Sequence, residues 1–400
     1  MLFLKRLLLI LTLLSLPFQL GKHLWFSFSY VSGLPVDYLA PTLYLADIFL
    51  IITTLLFLFT FLKKKSFKKR ILKFLKLLAK YWWLIGFLVL NIVLAKSPQV
   101  ALFGWLKIAK VFLLSFLVFN QRVWVKKNLP KIIAFWLFVQ AFLTFFQFLK
   151  QGALGGLGYY LGERSFSLLT PGIAKINFNS QIFLRAYGTF SHPNSLAGFI
   201  LLSLFLYLSF QGFKKPFSKL VLLAGLTSLI LSFSRTAWLV GLVVLLLPKS
   251  ALQLSRQKVG KRLALSLFLG SLSALVFFAF PNPLALRERI ILAQTSLKVF
   301  AKNPFLGVGW DNFLVVLPDF WPFVLESKIT LQPVHNLFLL VLSQLGVVGL
   351  FFVYKGLKKV VGQKTLLWWL IILLTGLTDH YWLDLNQNLL LLGVVLGLSY

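Results

Sequence analysis

Residues 45–70 read LADIFLIITTLLFLFTFLKKKSFKKR, and the change at residue 63 decides the fold. Up to Leu62 the run is apolar apart from Asp47 and a few threonines, nearly the ~20 residues that a helix needs to cross a hydrocarbon core. From Lys63, six of eight residues are Lys or Arg, the composition of a loop held on the cytoplasmic face. A helix apolar all round belongs in lipid or a large core, and the basic run beside it selects lipid.

Working outward, the same alternation runs through the chain. Of 400 residues, 59% are hydrophobic and 12% charged, with mean hydropathy +0.88. Soluble domains hold about 45–50% apolar and 25% charged residues, so a soluble globular protein is excluded. There is no cysteine, which rules out disulfides and thiolate metal sites. The net charge of +32 invites a nucleic-acid reading, but its distribution argues against that partner. Twenty-seven of the 41 basic residues sit in six clusters, in every second loop: Lys5 and Arg6, Lys63–Lys80, Arg122–Lys131, Lys214–Lys219, Lys249–Arg262 and Lys355–Lys364. All nine acidic residues, from Asp37 to Asp384, fall in the other set.

The expectation is therefore an all-α, polytopic integral membrane helical bundle in the cytoplasmic membrane, one transmembrane domain over residues 1–400 with both termini cytoplasmic. About twelve transmembrane helices are expected, near 7–21, 41–62, 81–95, 99–119, 132–149, 194–212, 220–233, 236–248, 263–280, 335–354, 365–378 and 386–400. No small-x-small cleavage pattern follows Pro17, so the first span reads as a retained helix. Two extracytoplasmic segments, 150–193 and 281–334, are too long for turns. The large loop 281–334 contains an amphipathic helix, Leu286–Lys302, whose Ile290, Leu297 and Val299 suit the membrane interface.

Ionisable residues at the membrane edge are costly and point to function. In RAYGTFSHPN, residues 185–194, Ser191 or His192 suits a helix cap, while Arg185, His192 and Asn194 are candidate ligand contacts. Arg235 in SFSRTAWLVGL has apolar sequence on both sides and no acidic neighbour in the chain, and its planar fork suits phosphate oxygens. Arg287 and Arg289 flank Glu288 on the interfacial helix, where one can bind headgroups or pair with Glu288 and the other complete an anion clamp. His335, followed by Asn336, starts the tenth span, where a neutral imidazole can act as a general base. Gly346 and Gly349 lie one turn apart and would permit close helix approach. Asp379, His380 and Asp384 read as solvated residues at a helix end. There is no GxxxxGK[ST] loop, HExxH or cytoplasmic DxD pair, so no metal or other cofactor is expected.

HNLFLLVLSQLGVVG, residues 335–349, together with RAYGTFSHPNSLAGF, SFSRTAWLVGL and LKVFAKNPFLGVGWDNF, resembles the O-antigen ligase and Wzy-type polymerase family over about residues 180–350. YLADIFL in the second span gives weaker support, and Gln344 departs from the Glu carried there by many members. The resemblance implies a glycosyltransferase that uses an undecaprenyl diphosphate-linked glycan at the outer face, with a glycolipid, glycan or protein acceptor amid membrane lipid. Arg235 and Arg287 would hold the diphosphate, with Arg185 as a third candidate. His335 would deprotonate the acceptor in an inverting, metal-independent displacement. The motifs do not separate ligase from polymerase. A lipid-linked oligosaccharide flippase or other transporter is the rival reading, and Lys107 and Lys110 inside span four are its best support.

Overall fold

The computed structural model describes residues 1–62, 72, 76, 79–178, 180–212, 216–247, 283–321, 331–362 and 364–400. The expected ninth span, 263–280, lies outside the described residues, as does most of the basic loop 63–80. In chain order the helices are α1 (Leu2–Ser15), α2 (Leu45–Leu62), α3 (Trp82–Val93), α4 (Pro98–Asn120), α5 (Arg122–Lys150), α6 (Leu157–Tyr160), α7 (Pro193–Gln211) and α8 (Pro216–Leu231). They continue with α9 (Arg235–Leu246), α10 (Pro283–Lys302), α11 (Phe313–Phe320), α12 (Leu337–Val360), α13 (Leu366–Gly376), α14 (Tyr381–Asp384) and α15 (Asn386–Ser399).

Five of these, α2, α4, α5, α7 and α12, are long and apolar enough to cross a membrane, and α3, α8, α9, α13 and α15 are shorter apolar helices. Eleven of the expected spans thus fall on helices, with shifted ends: the first runs 2–15 and the second starts at Leu45. The 220–248 region is two helices, because Phe233 adopts a left-handed φ of 48° between α8 and α9. Exposed Ile51, Leu55 and Phe59 on α2 and Leu102, Phe112 and Phe116 on α4 form apolar faces that suit acyl chains rather than water. The chain is a multi-pass helical membrane protein.

The fold is mostly helical rather than wholly so. Among the described residues three antiparallel pairs occur outside the helices: β1 (Gly21–His23) with β4 (Thr42–Tyr44), β2 (Tyr30–Val31) with β3 (Leu34–Pro35), and β5 (Lys175–Phe178) with β6 (Gln181–Leu184). At the centre stands α7, buried from Ser195 to Leu208 and packed on α5, α8, α9, α13 and α15.

One feature departs from helix periodicity and positions the site. Within α12, Gly346 takes φ 62° and ψ −168°, breaking the helix. The 303–312 loop docks into the break: Val308 and Gly309 N–H donate to the Ser343 and Gln344 carbonyls at 3.0 and 3.1 Å, and Val347 N–H donates to Pro304 O at 2.9 Å. A Cβ at Gly346 would lie 2.3 Å from Phe305 O. The expected role of Gly346 in helix-to-helix approach is thereby corrected: it admits a loop backbone. Asn91 of α3 secures the same loop, donating to Leu306 O and Gln344 O at 3.0 and 3.2 Å and accepting from Trp105 Nε1 and Trp310 N at 3.0 and 3.0 Å. GVGWDNF is therefore a structural dock. It hangs α10 beside the start of α12, where Ser296 donates to Leu339 O at 3.0 Å.

Candidate functional site

Two glutamines of α5 shape the loop before α7. Gln147 accepts from Tyr187 and Gly188 N–H at 3.0 and 2.8 Å and donates to Glu163 at 2.8 Å, and Gln140 accepts from Thr189 N–H at 3.1 Å. The loop then presents Arg185, His192 and Asn194 where α7, α9, α12 and α14 begin. The His192 side chain caps α7 by accepting from Asn194 N–H at 3.2 Å. Asn336 caps α12, accepting from Phe338 and Leu339 N–H at 3.0 and 3.0 Å while donating to Leu377 O at 2.9 Å. Its amide is spent on holding the start of α12 against the end of α13, which is a positioning role.

A hydrogen-bonded chain links the arginine side to the buried acid. Arg185 donates through Nε to Ser232 O at 2.8 Å and through Nη2 to Asn194 Oδ1 at 2.6 Å. Asn194 Nδ2 donates to Asp379 Oδ2 at 3.0 Å, and Asp379 Oδ1 accepts from His380 N–H at 2.8 Å. His380 Nδ1 is 2.7 Å from Asp384 Oδ2. The His335 ring meets His380 edge-on, with centroids 5.3 Å apart. Among the described residues, His335 Nδ1 is buried without a hydrogen-bond partner. Asp379 and His380 are buried, so the expectation of a solvated helix end is overturned: the carboxylates answer an imidazole cluster. The signal was in the sequence, since two of only nine acids flank one of four histidines here.

Electrostatics separates the two sides. Burial pulls the Arg185 guanidinium down to about 10, with Arg235 and Arg289 adding to the effect, so it stays charged at neutral pH. Burial also lowers His192 to about 3 and His335 to about 4; Asp379 opposes this, while Arg289 reinforces it in both. Both imidazoles are neutral at pH 7. Burial alone would lift the Asp379 carboxyl, but His380, His335, His192 and the Asn194 bond outweigh it and hold it below the usual carboxylate range. Burial opposes the charge on His380, but its bond to Asp384 and the two aspartates raise it.

Arg185, Arg235 and Arg289 thus act on one another, and Arg289 also acts on His192, His335 and His380. Arg289 is half-buried and shares a helical face with buried Leu292, Ser296 and Val299, whereas Arg287 and Glu288 are exposed. Of the three apolar residues expected at the interface, Val299 is buried in the protein and Ile290 and Leu297 are exposed. The two span-four lysines are paired: Lys107 with Asp311 at 2.8 Å, and Lys110 with Asp47 at 2.9 Å.

No curated protein matches the chain. Residues 220–354, about a third of the chain, match the family model described as O-antigen ligase. That stretch runs from α8 into α12 and holds Arg235, Arg287, Arg289 and His335, while Arg185, His192, Asn194 and Asp379 lie outside it. Over residues 220–354 the chain is therefore similar to the O-antigen ligase family, and glycan transfer of the ligase or polymerase type is the activity that this similarity supports.

Proposed function

We propose that the chain transfers a glycan from undecaprenyl diphosphate to an acceptor hydroxyl at the outer face of the cytoplasmic membrane, as ligase or polymerase. The supporting observation is the hydrogen-bonded chain that runs from Arg185 through Asn194 and Asp379 to His380, against which the His335 ring packs with its Nδ1 buried and without a hydrogen-bond partner among the described residues. Guanidiniums suit diphosphate oxygens because they present fixed, bidentate donors. All these residues come from segments that the charge pattern assigns to the extracytoplasmic side.

In this reading the donor's diphosphate lies against Arg289 and Arg235, with Arg185 held ready by Ser232 and Asn194. The acceptor O–H gives its proton to the His335 imidazole as its oxygen attacks the anomeric carbon. The new C–O bond forms as the anomeric C–O bond to phosphate breaks, and the electron pair leaves with undecaprenyl diphosphate, stabilised by the arginines. A single displacement inverts that carbon. The bound diphosphate also raises the basicity of His335, because added negative charge favours the imidazolium. Asp379 and Asp384, acting through His380, stabilise the cation that forms.

The test is glycan transfer in vesicles containing purified protein and lipid-linked donor. His335→Ala should abolish transfer while donor binding persists. Full transfer by that variant would eliminate His335 as the base.

A further inference from the structure

The strap between α1 and α2, the middle of α4, the loop after α6 and the start of α15 enclose a cavity of about 760 Å³. This is within the roughly 300–1,000 Å³ typical of ligand sites. Tyr38, Tyr44, Tyr159 and Phe103 contribute aromatic surface to its wall. At one corner stand His192 and Asp384, the cap beside Asn194 and the partner of His380. Neither Arg235 nor Arg289 lines it. The cavity therefore adjoins the histidine cluster on a side different from the arginines.

We infer that this cavity is the acceptor subsite, taking the terminal sugars of a neutral, hydroxyl-rich glycan. The inference rests on the glycan-transfer reading above. Its charges disfavour a second diphosphate site. Lys110 is paired with Asp47 and Lys107 with Asp311, Arg164 donates to Ser191 O at 3.1 Å, and Asp384 is bound to His380. An anion would find two of its three lysine and arginine side chains already paired with aspartates, and Asp37 exposed nearby. A sugar fits better: its C–H faces pack on aromatic rings, and its hydroxyls bond carboxylates and amides without bringing charge. A glycan seated there would bring one end to the His192 and Asp384 corner, where Asp384 holds His380, the ring against which His335 packs.

The full-length protein in lipid nanodiscs is titrated with neutral trisaccharides of hexose, N-acetylhexosamine and deoxyhexose, and separately with undecaprenyl diphosphate. Ala109→Trp, which fills the cavity from α4, should weaken binding of the best trisaccharide by about tenfold or more and leave undecaprenyl diphosphate binding unchanged. Arg289→Ala should do the reverse. Tyr159→Ala, at a position 62% exposed, provides a second variant that removes an aromatic wall without filling space, and should weaken the sugar alone. The proposal is overturned if the wild type binds none of the trisaccharides, if neither variant weakens them, or if Ala109→Trp weakens undecaprenyl diphosphate instead. Failure of the wild type to bind undecaprenyl diphosphate would strike the transfer reading itself, separately from the sugar result.

Discussion

His335 and His380 meet edge to face, 5.3 Å between ring centroids, although 45 positions separate them in the chain. The contact joins the start of α12 to the turn before α14. It places an imidazole whose Nδ1 has no partner among the described residues against one that is bound to a carboxylate. The two rings carry opposite pKa shifts, His335 down and His380 up, so a proton arriving at His335 has a more basic neighbour. Environments that push two titratable groups apart are a common way of assigning acid and base roles.

The pH dependence follows from that contact. Burial lowers His335 to about 4, so in the free protein the imidazole is already neutral at pH 5. The acidic limb of kcat/KM for glycan transfer should then lie near pH 4 rather than at the ordinary 6.5 of histidine. Arg289 depresses His335 and Asp379 raises it. Arg289→Gln should therefore move the limb upward and Asp379→Asn move it downward. Rates measured in vesicles between pH 3.5 and 8 decide; a limb that stays at 6.5 in every variant would separate His335 from the rate.

The two interfacial arginines should behave unequally. Arg289 lies on the buried face of α10 and acts on Arg185, His192 and His335, whereas Arg287 is exposed. Arg289→Ala should cost about 2 kcal/mol of donor affinity, roughly thirtyfold, as for the loss of a charged hydrogen bond. Arg287→Ala should stay within about twofold. Equal losses in a direct undecaprenyl diphosphate binding assay would restore Arg287 to the clamp.

These arginines also show what sequence can and cannot tell. Charge alternation around residues 63–80 and apolar run lengths made the bundle legible, because lipid imposes the same constraint on every span. It also marked Arg185, Arg235, His192 and His335, since an ionisable residue in apolar sequence has few uses. The different burial of Arg287 and Arg289 depends on the rotation of α10, which is set by Leu292 and Val299 packing beneath it. Asp379 and Asp384 beside one of four histidines were a visible signal, but the partners that bury Asp379 and His380, Asn194 and His335, are remote in the chain. The docking of GVGWDNF into α12 was hidden too, because a glycine pair reads alike whether it admits a helix or a loop.

That docking makes Gly346 a sensitive position. Its φ of 62° favours glycine, and an added Cβ would meet Phe305 O at 2.3 Å with Pro304 O at 2.7 Å, both backbone atoms that cannot swing aside. Gly346→Ala should destabilise by at least the ~1–3 kcal/mol of a forced backbone conformation. Gly356, with nothing within 4 Å of its would-be Cβ, is the control, and Gly356→Ala should be neutral or slightly stabilising. Thermal unfolding of the two purified variants would reveal the contrast; equal midpoints would mean that the 303–312 loop can yield at no cost.

Two lysines stand inside α4, each paired with an aspartate. Lys110 donates to both Asp47 oxygens at 2.9 Å and to Asn386 Oδ1 at 2.9 Å, linking α4 to α2 and α15. The Asp47 side chain is only 4% exposed, so Lys110→Met would leave a buried carboxylate with Tyr44 N–H, at 3.2 Å, as its remaining donor among the described residues. Removing one member of such a pair costs about 3–5 kcal/mol, whereas replacing both with apolar groups is often neutral. The double variant Asp47→Leu/Lys110→Met should thus regain most of the stability lost in Lys110→Met, as read from denaturation midpoints in detergent. A double variant no more stable than the single would mean that Lys110 acts mainly through Asn386, so that the pair is not what holds α2 against α4. Recovery would establish the lysine as the structural counterion of Asp47 and remove the strongest sequence argument for a charge carried across the membrane.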